Sequence, residues 1–215
     1  MKKIVIIYAG GTISSLKTKQ GYREGNHFID LMSELQKRNP LALIGIDLVN
    51  SYISFNGLSE NINYKEWRKI GQKIKRAAQL RPDAIIITHG TDSMEQTARY
   101  LQQKYSSYLT NHRIKVILTG ANQDINDVKT DAWNNLIFAV ESVKKSDNNN
   151  DIQIAFHNRL IRADKAIKEP FNGREMNYIS IEDPNYQKMI LAARWRDDEL
   201  IKRLTSKYKK LLTEK

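Results

Sequence analysis

The sequence predicts an α/β fold built on a doubly wound, mostly parallel sheet of the flavodoxin-like or Rossmann-like kind. Short apolar runs rich in β-branched residues alternate with segments of helical periodicity along most of the chain. The runs are apolar at nearly every position, which is typical of strands buried on both faces of a sheet. Proline or polar turn residues separate several of these segments, so repeated parallel strand, helix, strand units are expected.

Strands and helices are predicted in chain order from these two patterns. Apolar residues spaced three and four positions apart share one face of a helix, and such stripes recur between the apolar runs. Pro40 and Pro82 follow the first and second of these helices, where proline commonly ends a helix. The predicted strands are residues 4–8, 43–49, 84–88, 114–119 and 152–156, and the predicted helices are residues 29–39, 63–80, 94–105 and 132–143.

Length and composition favour one folded domain. The chain has 215 residues, of which 40% are hydrophobic and 27% charged, and this composition can form a core. We expect a single domain over residues 1–215, with a core over 1–185 followed by a basic C-terminal helix over 186–215. The chain has no cysteine, which excludes disulfides, thiolate metal sites and a cysteine nucleophile.

Charge and motif content narrow the expected partners. The net charge is +11, but much of the excess lies on predicted helix faces and near the C-terminus, so we expect no nucleic-acid partner. The four histidines lack a metal-ligand spacing and no nucleotide-binding glycine motif is present, so we expect neither a metal nor another cofactor. The first apolar run is too short for a signal peptide or a membrane span. We therefore expect a cytoplasmic protein with no membrane partner.

Glycines and hydroxyls follow two of the predicted strands, at the edge where α/β sheets bind ligands. The first strand runs into AGGTIS, with Gly10, Gly11 and Thr12, and the third into HGTDS, with Thr91 and Asp92. The first stretch lacks both the G-x-G-x-x-G and the Gly-Lys-Ser/Thr patterns of nucleotide sites. The stretch alone leaves open whether its glycines form a tight turn or expose the threonine hydroxyl.

The HGTDS stretch has two interpretations that are compatible with each other. Asp92 or Ser93 can cap the helix that follows, with Gln96 completing a capping box with Ser93. Two hydroxyls beside a carboxylate also suit nucleophilic acyl transfer, provided that a base takes the hydroxyl proton. A lysine whose pKa is lowered by burial can be that base. Lys165 and Lys168 lie in the loop predicted after the fifth strand, and Lys129 lies at the edge of a helix. Sequence spacing does not decide among them.

Five stretches occur in order along the chain: YAGGTIS, SENIN, ITHGTDSMEQTARYL, LTGANQDINDVKTDAWNNLIFAV and LIRADKAIK. The most specific are GGTI and THGTD, each directly after a predicted strand. In this order and at these separations, the stretches resemble the N-terminal domain of bacterial-type L-asparaginases and glutaminase-asparaginases. The resemblance runs from about Lys3 to about Asn185, which is most of the chain.

The resemblance implies a set of catalytic residues. Thr12 resembles the nucleophile that attacks the side-chain amide carbon, and Tyr22 resembles the tyrosine that assists it from a lid loop over residues 14–27. Thr91, Asp92 and Lys168 resemble a second triad, in which the lysine keeps a hydroxyl or a water reactive. The resemblance also implies that Asp92 faces the α-ammonium group of the substrate.

The resemblance implies substrate-binding residues as well. Ser59 resembles the residue that binds the substrate α-carboxylate, and Glu60 resembles its neighbour near the α-amino group. These two residues can alternatively cap the helix predicted over 63–80. Ala121 is expected to contact the leaving amide through its backbone. Gly11 and Gly90, beside the two threonines, complete the expected set.

The chain also departs from the family pattern. We expect the family's smaller C-terminal domain to be absent, and GANQDIND and DAW stand where Gly-Ala-Met-Arg-Pro and Asp-Gly-Pro are common. The resemblance implies hydrolysis of L-asparagine to L-aspartate and ammonia through a threonine acyl-enzyme, in a homo-oligomer that is a dimer or larger. The alternatives are an L-glutaminase or other small-amide hydrolase, and a catalytically weak amino-acid-binding or regulatory module.

Overall fold

The computed structural model describes residues 1–18, 21–24, 31–55, 57, 59–145, 151–171, 175–184 and 186–187. Two compact units divide the chain, Met1–Asp164 and Lys165–Lys215. The single-domain arrangement over 1–215 stays a prediction, and most of the predicted C-terminal helix lies outside the described residues. Among the described helices, none is long and apolar enough to cross a membrane.

A central sheet organises the first unit. Within the described residues its six strands are β1 (Lys2–Ala9), β4 (Ile46–Phe55), β5 (Ala84–His89), β6 (Lys115–Thr119), β7 (Ile152–Phe156) and β8 (Arg159–Arg162). Their order across the sheet is β4-β1-β5-β6-β7-β8, and the first five are parallel while β8 runs antiparallel to β7. This confirms the predicted mostly parallel α/β fold.

Helices cover both faces of this sheet. Helices α1 (Leu31–Arg38) and α4 (Ala132–Lys144) bury their apolar stripes in one cluster with alternate residues of β1, including Ile4 and Ile6. The intervening residues of β1 are also fully buried and point to the other face. Helices α2 (Tyr64–Ala78) and α3 (Met94–His112) contact each other and the sheet, and they cover that second face.

The order of the strands reverses beside β1. The chain goes from β1 to β4 on one side, and then crosses back to β5 on the other side. In doubly wound sheets this reversal leaves a crevice at the carboxyl ends of the two strands, because the connections leave in opposite directions. The crevice therefore lies where β1 leads into Gly10 and β5 leads into Gly90.

The second strand differs from its prediction at both ends. The sequence predicts it over 43–49, whereas β4 is Ile46–Phe55, because Leu43 ends a 3₁₀ turn and Gly45 turns the chain with φ +78°. The strand lies at the edge of the sheet and roughly alternates between more and less exposed residues. The prediction that it is buried on both faces is wrong for this reason.

Two segments predicted as loops contain strands. Within residues 14–27, β2 (Ser15–Thr18) pairs with β3 (Gly21–Glu24) as an antiparallel hairpin. After β7, a tight turn at His157 and Asn158, both with positive φ, leads into β8. In the second unit, β9 (Ala166–Phe171) pairs with β10 (Glu175–Ser180), so Lys168 lies in a strand, opposite Tyr178, and not in a loop.

Candidate active site

The two glycine turns touch at the crevice between β1 and β5. Gly11 has φ +87°, and a Cβ atom added there would lie 2.1 Å from the Gly90 nitrogen and 2.2 Å from its Cα. No L side chain fits so close to a backbone, and φ in this range favours glycine independently. The stretches that follow, Thr12 and Thr91–Asp92, therefore leave the sheet from adjacent points.

The first turn is also tied to the segment after β4. The Gly11 N–H donates a hydrogen bond to the Gly57 carbonyl oxygen at 2.9 Å. A Cβ atom on Gly10 would lie 2.1 Å from the same oxygen. The backbone amide of Gly11 is thus engaged within the protein, which argues against a phosphate-binding role for this turn. The glycines serve a close backbone approach, and the next residue, Thr12, is half-buried.

Ser59 joins the second turn from the segment after β4. Its Oγ accepts a hydrogen bond from the Asp92 N–H at 3.2 Å, and its carbonyl accepts one from the Ser93 hydroxyl at 2.7 Å. A Cβ atom on Gly90 would lie 2.3 Å from Ser59 Oγ, so glycine is needed here for space. These contacts bring Ser59, Gly90 and Asp92 together.

Neither capping interpretation holds for these serines. Helix α2 is capped by Asn63, whose side chain accepts from the Lys65 N–H at 2.9 Å. Ser93 occupies the N-cap position of α3 but makes no side-chain hydrogen bond to that helix, because its hydroxyl bonds to Ser59 instead. The two serines connect the segments around the crevice to each other.

Burial differs sharply across the site. Ser59 and Thr91 are 3% and 8% exposed, Thr12 is half-buried, and Asp92 is exposed. Asp92 is therefore open to solvent, while the residues that carry the hydroxyls are partly or almost fully covered by protein.

His89, at the end of β5, is fully buried directly before the second turn. Its Nδ1 lies 2.8 Å from the Gly90 carbonyl oxygen and its Nε2 lies 2.9 Å from the Thr97 hydroxyl on α3. Burial lowers the pKa of His89 from 6.5 to about 4, although the hydrogen bond to Gly90 acts in the opposite direction. The imidazole is therefore neutral near pH 7.

The loop after β6 begins with Gly120 and the fully buried Ala121 and is held by Asp131. One carboxylate oxygen of Asp131 accepts from the backbone N–H groups of Asn122 at 2.9 Å and Gln123 at 3.1 Å. The other accepts from the Asn135 side chain at 3.1 Å and lies 3.2 Å from His157 Nε2. The loop closes around this single carboxylate.

Two further bonds tie this loop to its neighbours. Asn135 donates to the Gly120 carbonyl at 3.0 Å and accepts from the His157 N–H at 2.9 Å. Partial burial would by itself raise the pKa of Asp131, but the hydrogen bonds from His157 and the loop backbone outweigh it and lower the pKa below 3.8. The carboxylate is therefore ionised at neutral pH and keeps the loop around Ala121 in place.

Three predicted site residues are not brought into this geometry by the described contacts. The side chains of Tyr22, in β3, and of Glu60, in the 3₁₀ turn Ser59–Asn61, lie outside the described residues. Lys168 belongs to β9 of the second unit. Among the described residues, no group of three or more histidine, aspartate or glutamate side chains is arranged to hold a metal ion.

Several residues that shape the site escaped the sequence analysis. Gly57, Thr97 and Asn135 each bond to the backbone or a side chain at the crevice from distant positions in the chain. No local motif marks them, because their partners lie in other elements of the fold, eight or more positions away in sequence. Asp131 carries a weak signal, since it stands at the departure from the family's Asp-Gly-Pro pattern.

Comparison with known proteins places this geometry in a family. The profile of the asparaginase N-terminal domain matches residues 3–191. Similar curated proteins include a glutamyl-tRNA(Gln) amidotransferase subunit of Methanosphaera stadtmanae, 31% identical over 144 residues, and the corresponding one of Methanobrevibacter smithii, 33% identical over 144 residues. Each match covers 66% of this chain and 31% of the relative, so the chain spans about a third of these relatives' length.

Solved structures give the same result at the level of the fold. The thermostable L-asparaginase from Thermococcus kodakarensis superposes with a TM-score of 0.67 at 27% identity, covering 85% of this chain and 52% of that one. The probable cytoplasmic L-asparaginase from Campylobacter jejuni superposes with a TM-score of 0.63 at 27% identity, covering 78% of this chain and 48% of that one. The chain therefore belongs to the asparaginase family and matches its N-terminal domain.

Proposed function

We propose that this chain is an amidohydrolase that converts L-asparagine to L-aspartate and ammonia. The observation that carries the proposal is the backbone contact between Gly11 and Gly90 at the strand-order reversal. It brings the threonine that follows each glycine to one crevice, with Asp92 beside them. Hydroxyls and a carboxylate at such a point suit acyl transfer, and membership in the asparaginase family supports an amide as the acyl donor.

Thr12 acts as the nucleophile in this proposal. Its Oγ attacks the side-chain amide carbon while a base takes the hydroxyl proton, and a tetrahedral intermediate forms. The C–N bond then breaks, and the nitrogen leaves as ammonia with a transferred proton. Water attacks the resulting ester carbon, which releases L-aspartate and restores the Thr12 hydroxyl. We assign Thr91, Asp92 and Lys168 to the triad that moves these protons, and Tyr22 to assisting Thr12.

The proposed binding of the amino-acid end follows from the donors at the crevice. Ser59 Oγ accepts from the Asp92 N–H, so its own hydroxyl proton remains to be donated to the substrate α-carboxylate. The exposed Asp92 carboxylate, with Glu60, balances the α-ammonium group. The backbone of Ala121 meets the leaving amide, and Gly11 and Gly90 allow the two turns to approach closely enough to form the site.

Ammonia release from L-asparagine tests the proposal. We expect turnover in the wild-type protein and a loss of about 1000-fold or more in Thr12→Ala, Thr91→Val and Lys168→Met, as is usual when a nucleophile or its base is removed. Lys165→Met is the matched control, because the Lys165 ammonium pairs with Glu182 at 2.8 Å. It should retain most of the activity. No ammonia above the Thr12→Ala background at millimolar L-asparagine would overturn the proposal.

A second candidate function is the amide-hydrolysing component of an amidotransferase. The similar curated proteins named as glutamyl-tRNA(Gln) amidotransferase subunits favour it, at 31% and 33% identity. In that role the amide donor would be L-glutamine, whose side chain is one methylene longer than that of L-asparagine. A kcat/KM for L-glutamine at least tenfold above that for L-asparagine would favour this candidate over the first.

The proposal extends to assembly and location. We assign the chain to the cytoplasm, as the name of the Campylobacter jejuni neighbour suggests for that protein. A homo-oligomer, dimer or larger, is the proposed assembly. Light scattering after size-exclusion chromatography tests it, and a mass of 24.9 kDa, that of one chain, at micromolar concentration would contradict it.

A further inference from the structure

A buried chain of hydrogen bonds connects helices α2 and α3 to the turn that carries Thr91. The Trp67 Nε1–H donates to Thr97 Oγ1 at 2.8 Å, and Thr97 Oγ1 lies 2.9 Å from His89 Nε2. His89 Nδ1 in turn lies 2.8 Å from the Gly90 carbonyl oxygen. Thr97 and His89 are both fully buried. None of these side chains has a part in the proposed chemistry.

The chemistry of the end groups determines the direction of every bond in this chain. A carbonyl oxygen only accepts, so the proton of the neutral imidazole lies on His89 Nδ1 and is donated to Gly90. His89 Nε2 must then accept, and the donor is the Thr97 hydroxyl. The indole of Trp67 only donates, so Thr97 Oγ1 accepts from it. Each nitrogen and carbonyl group has one role, the Thr97 hydroxyl accepts one bond and donates the next, and one tautomer of His89 satisfies all three bonds.

The last of these hydrogen bonds, from His89 to the Gly90 carbonyl, controls the orientation of the Gly90–Thr91 peptide plane. A trans peptide is planar, and its C=O and N–H point in opposite directions. Holding the Gly90 carbonyl against the His89 ring therefore aims the Thr91 N–H away from that ring. Gly90 lacks a Cβ atom, and its backbone has more freedom than that of any other residue type. An external hold on this peptide is therefore needed before Thr91 and Asp92.

The Trp67 indole, which is the first donor in this series of hydrogen bonds, is itself held in place. The Trp67 ring stacks on Tyr100 of α3, with centroids 5.3 Å apart and an interplanar angle of 26°. Tyr100 also meets Tyr64 edge-on at 5.6 Å. The indole N–H therefore has a fixed direction, and the chain extends from the crevice through α3 to α2.

We propose that Trp67, Thr97 and His89 form a positioning relay that sets the orientation of the Gly90–Thr91 peptide and thereby the reactivity of Thr91 and Asp92. The inference rests on the proposed amidohydrolase function for its catalytic consequence. The peptide orientation itself does not depend on that function. The three residues act through the backbone and do not contact the substrate.

The test uses Thr97→Val, which keeps the shape of the side chain and removes the hydroxyl. It leaves the Trp67 N–H and His89 Nε2 without their partner and loosens the Gly90–Thr91 peptide, and the resulting misplacement of Thr91 predicts a loss of about tenfold to a hundredfold in kcat. KM should change less than threefold, because the binding groups remain. Thr97→Ser keeps the hydroxyl and should restore kcat to within about threefold of wild type. Trp67→Phe keeps the stacking, removes only the donor, and should have a smaller effect than Thr97→Val.

Two readouts that need no turnover accompany the kinetics. In protein labelled with ¹⁵N-histidine, with the signal assigned by comparison with His89→Gln, wild-type His89 should carry its proton on Nδ1. Thr97→Val should shift this signal toward a mixture of tautomers and accelerate hydrogen exchange of the Thr91 amide, and Thr97→Ser should do neither.

The outcomes separate the relay from the proposed function. If the wild-type protein hydrolyses no amide but the Thr91 amide and the His89 signal respond to Thr97→Val, the relay stands and the function fails. If His89 carries its proton on Nε2, the relay is overturned. It is also overturned if an active enzyme keeps its kcat in Thr97→Val, or if Thr97→Ser loses as much kcat as Thr97→Val.

Discussion

The turn after β5 and the loop after β6 lie side by side at the crevice, yet they are held in different ways. The turn is fixed by neutral groups, with His89 and Thr97 completely buried. The loop is fixed by an ionised carboxylate, that of Asp131, which is partly exposed and accepts hydrogen bonds from backbone and side-chain donors. The two segments meet where a Cβ atom on Gly120 would lie 2.3 Å from the His89 carbonyl oxygen.

The difference reflects what each position can tolerate. An ionised group in the fully buried site of His89 would lose its hydration, so a neutral chain of hydrogen bonds is the stable solution there. At the loop, solvent reaches the carboxylate, and the charge strengthens each bond that it accepts. The conformation of the turn should therefore not change with pH near neutrality, whereas the conformation of the loop should depend on the charge of Asp131.

The largest expected effect tests how tightly the turn is packed. Gly11→Ala places a methyl group 2.1 Å from the Gly90 nitrogen and strains a backbone at φ +87°, and should lower the free energy of unfolding by about 3–5 kcal/mol. Gly45→Ala is the matched control, since Gly45 has φ +78° but nothing within 4 Å, and should cost only about 1–2 kcal/mol. Urea unfolding measures both. Equal losses would show that backbone strain, and not contact with Gly90, makes Gly11 necessary.

The next effect tests whether His89 is held neutral. Its pKa is about 4 in the folded protein and 6.5 ordinarily, so between these values only the unfolded chain takes up the proton. Protonation then favours unfolding, and stability falls as the pH drops from 6.5 to 4. The difference between the two pKa values corresponds to a change of about 3 kcal/mol in the free energy of unfolding. Urea unfolding at several pH values should show this decrease in wild type and a smaller one in His89→Gln. Parallel pH profiles for the two proteins would contradict it.

The smallest effect tests the charge at the loop. Asp131→Asn keeps the size of the side chain but removes the charge, and should cost about 1–2 kcal/mol at pH 7. Because the folded-state pKa is lowered, the contribution of Asp131 is present above pH 4 and disappears as the pH falls further. The difference from wild type should therefore shrink in acid. Asp127→Asn is the control. The Asp127 carboxylate accepts a solvent-exposed hydrogen bond from the Lys129 N–H at 3.0 Å, so its loss should cost less than about 0.5 kcal/mol.

Much of the fold is predictable because its signal is local. Strands such as β5 and β7 are buried on both faces, so their sequences are apolar at most positions, and the helix stripes are equally clear. Prediction fails at the edge strand β4, because one side of an edge strand is exposed and its pattern weakens. It also fails after β7, where the turn at His157 and Asn158 and the strand β8 have a mixed, partly charged sequence.

The site divides in the same way. The turns that carry Thr12 and Thr91 are recognisable because glycine and hydroxyl residues follow apolar strands in short, specific motifs. Ser93 occupies the predicted N-cap position, but the prediction that its side chain caps α3 is wrong, because the local sequence fits a capping box while the competing partner, Ser59, is 34 positions away. The roles of Thr97 and Asn135 could not be predicted, since each depends on a contact that the folded chain alone creates.

By itself the sequence determined the alternation of strands and helices, the parallel sheet and the two glycine turns with their threonines, because each depends on residues that are neighbours in the chain. Only the tertiary structure decided the order of the strands, which places β1 beside β5 and so brings Gly11 against Gly90. It also decided which groups hold the backbone at the crevice, from Trp67 and His89 on one side to Asp131 on the other. The physical reason is that close packing and hydrogen bonds depend on distance in space, and partners such as Gly11 and Gly90 or Trp67 and Thr97 are far apart in sequence.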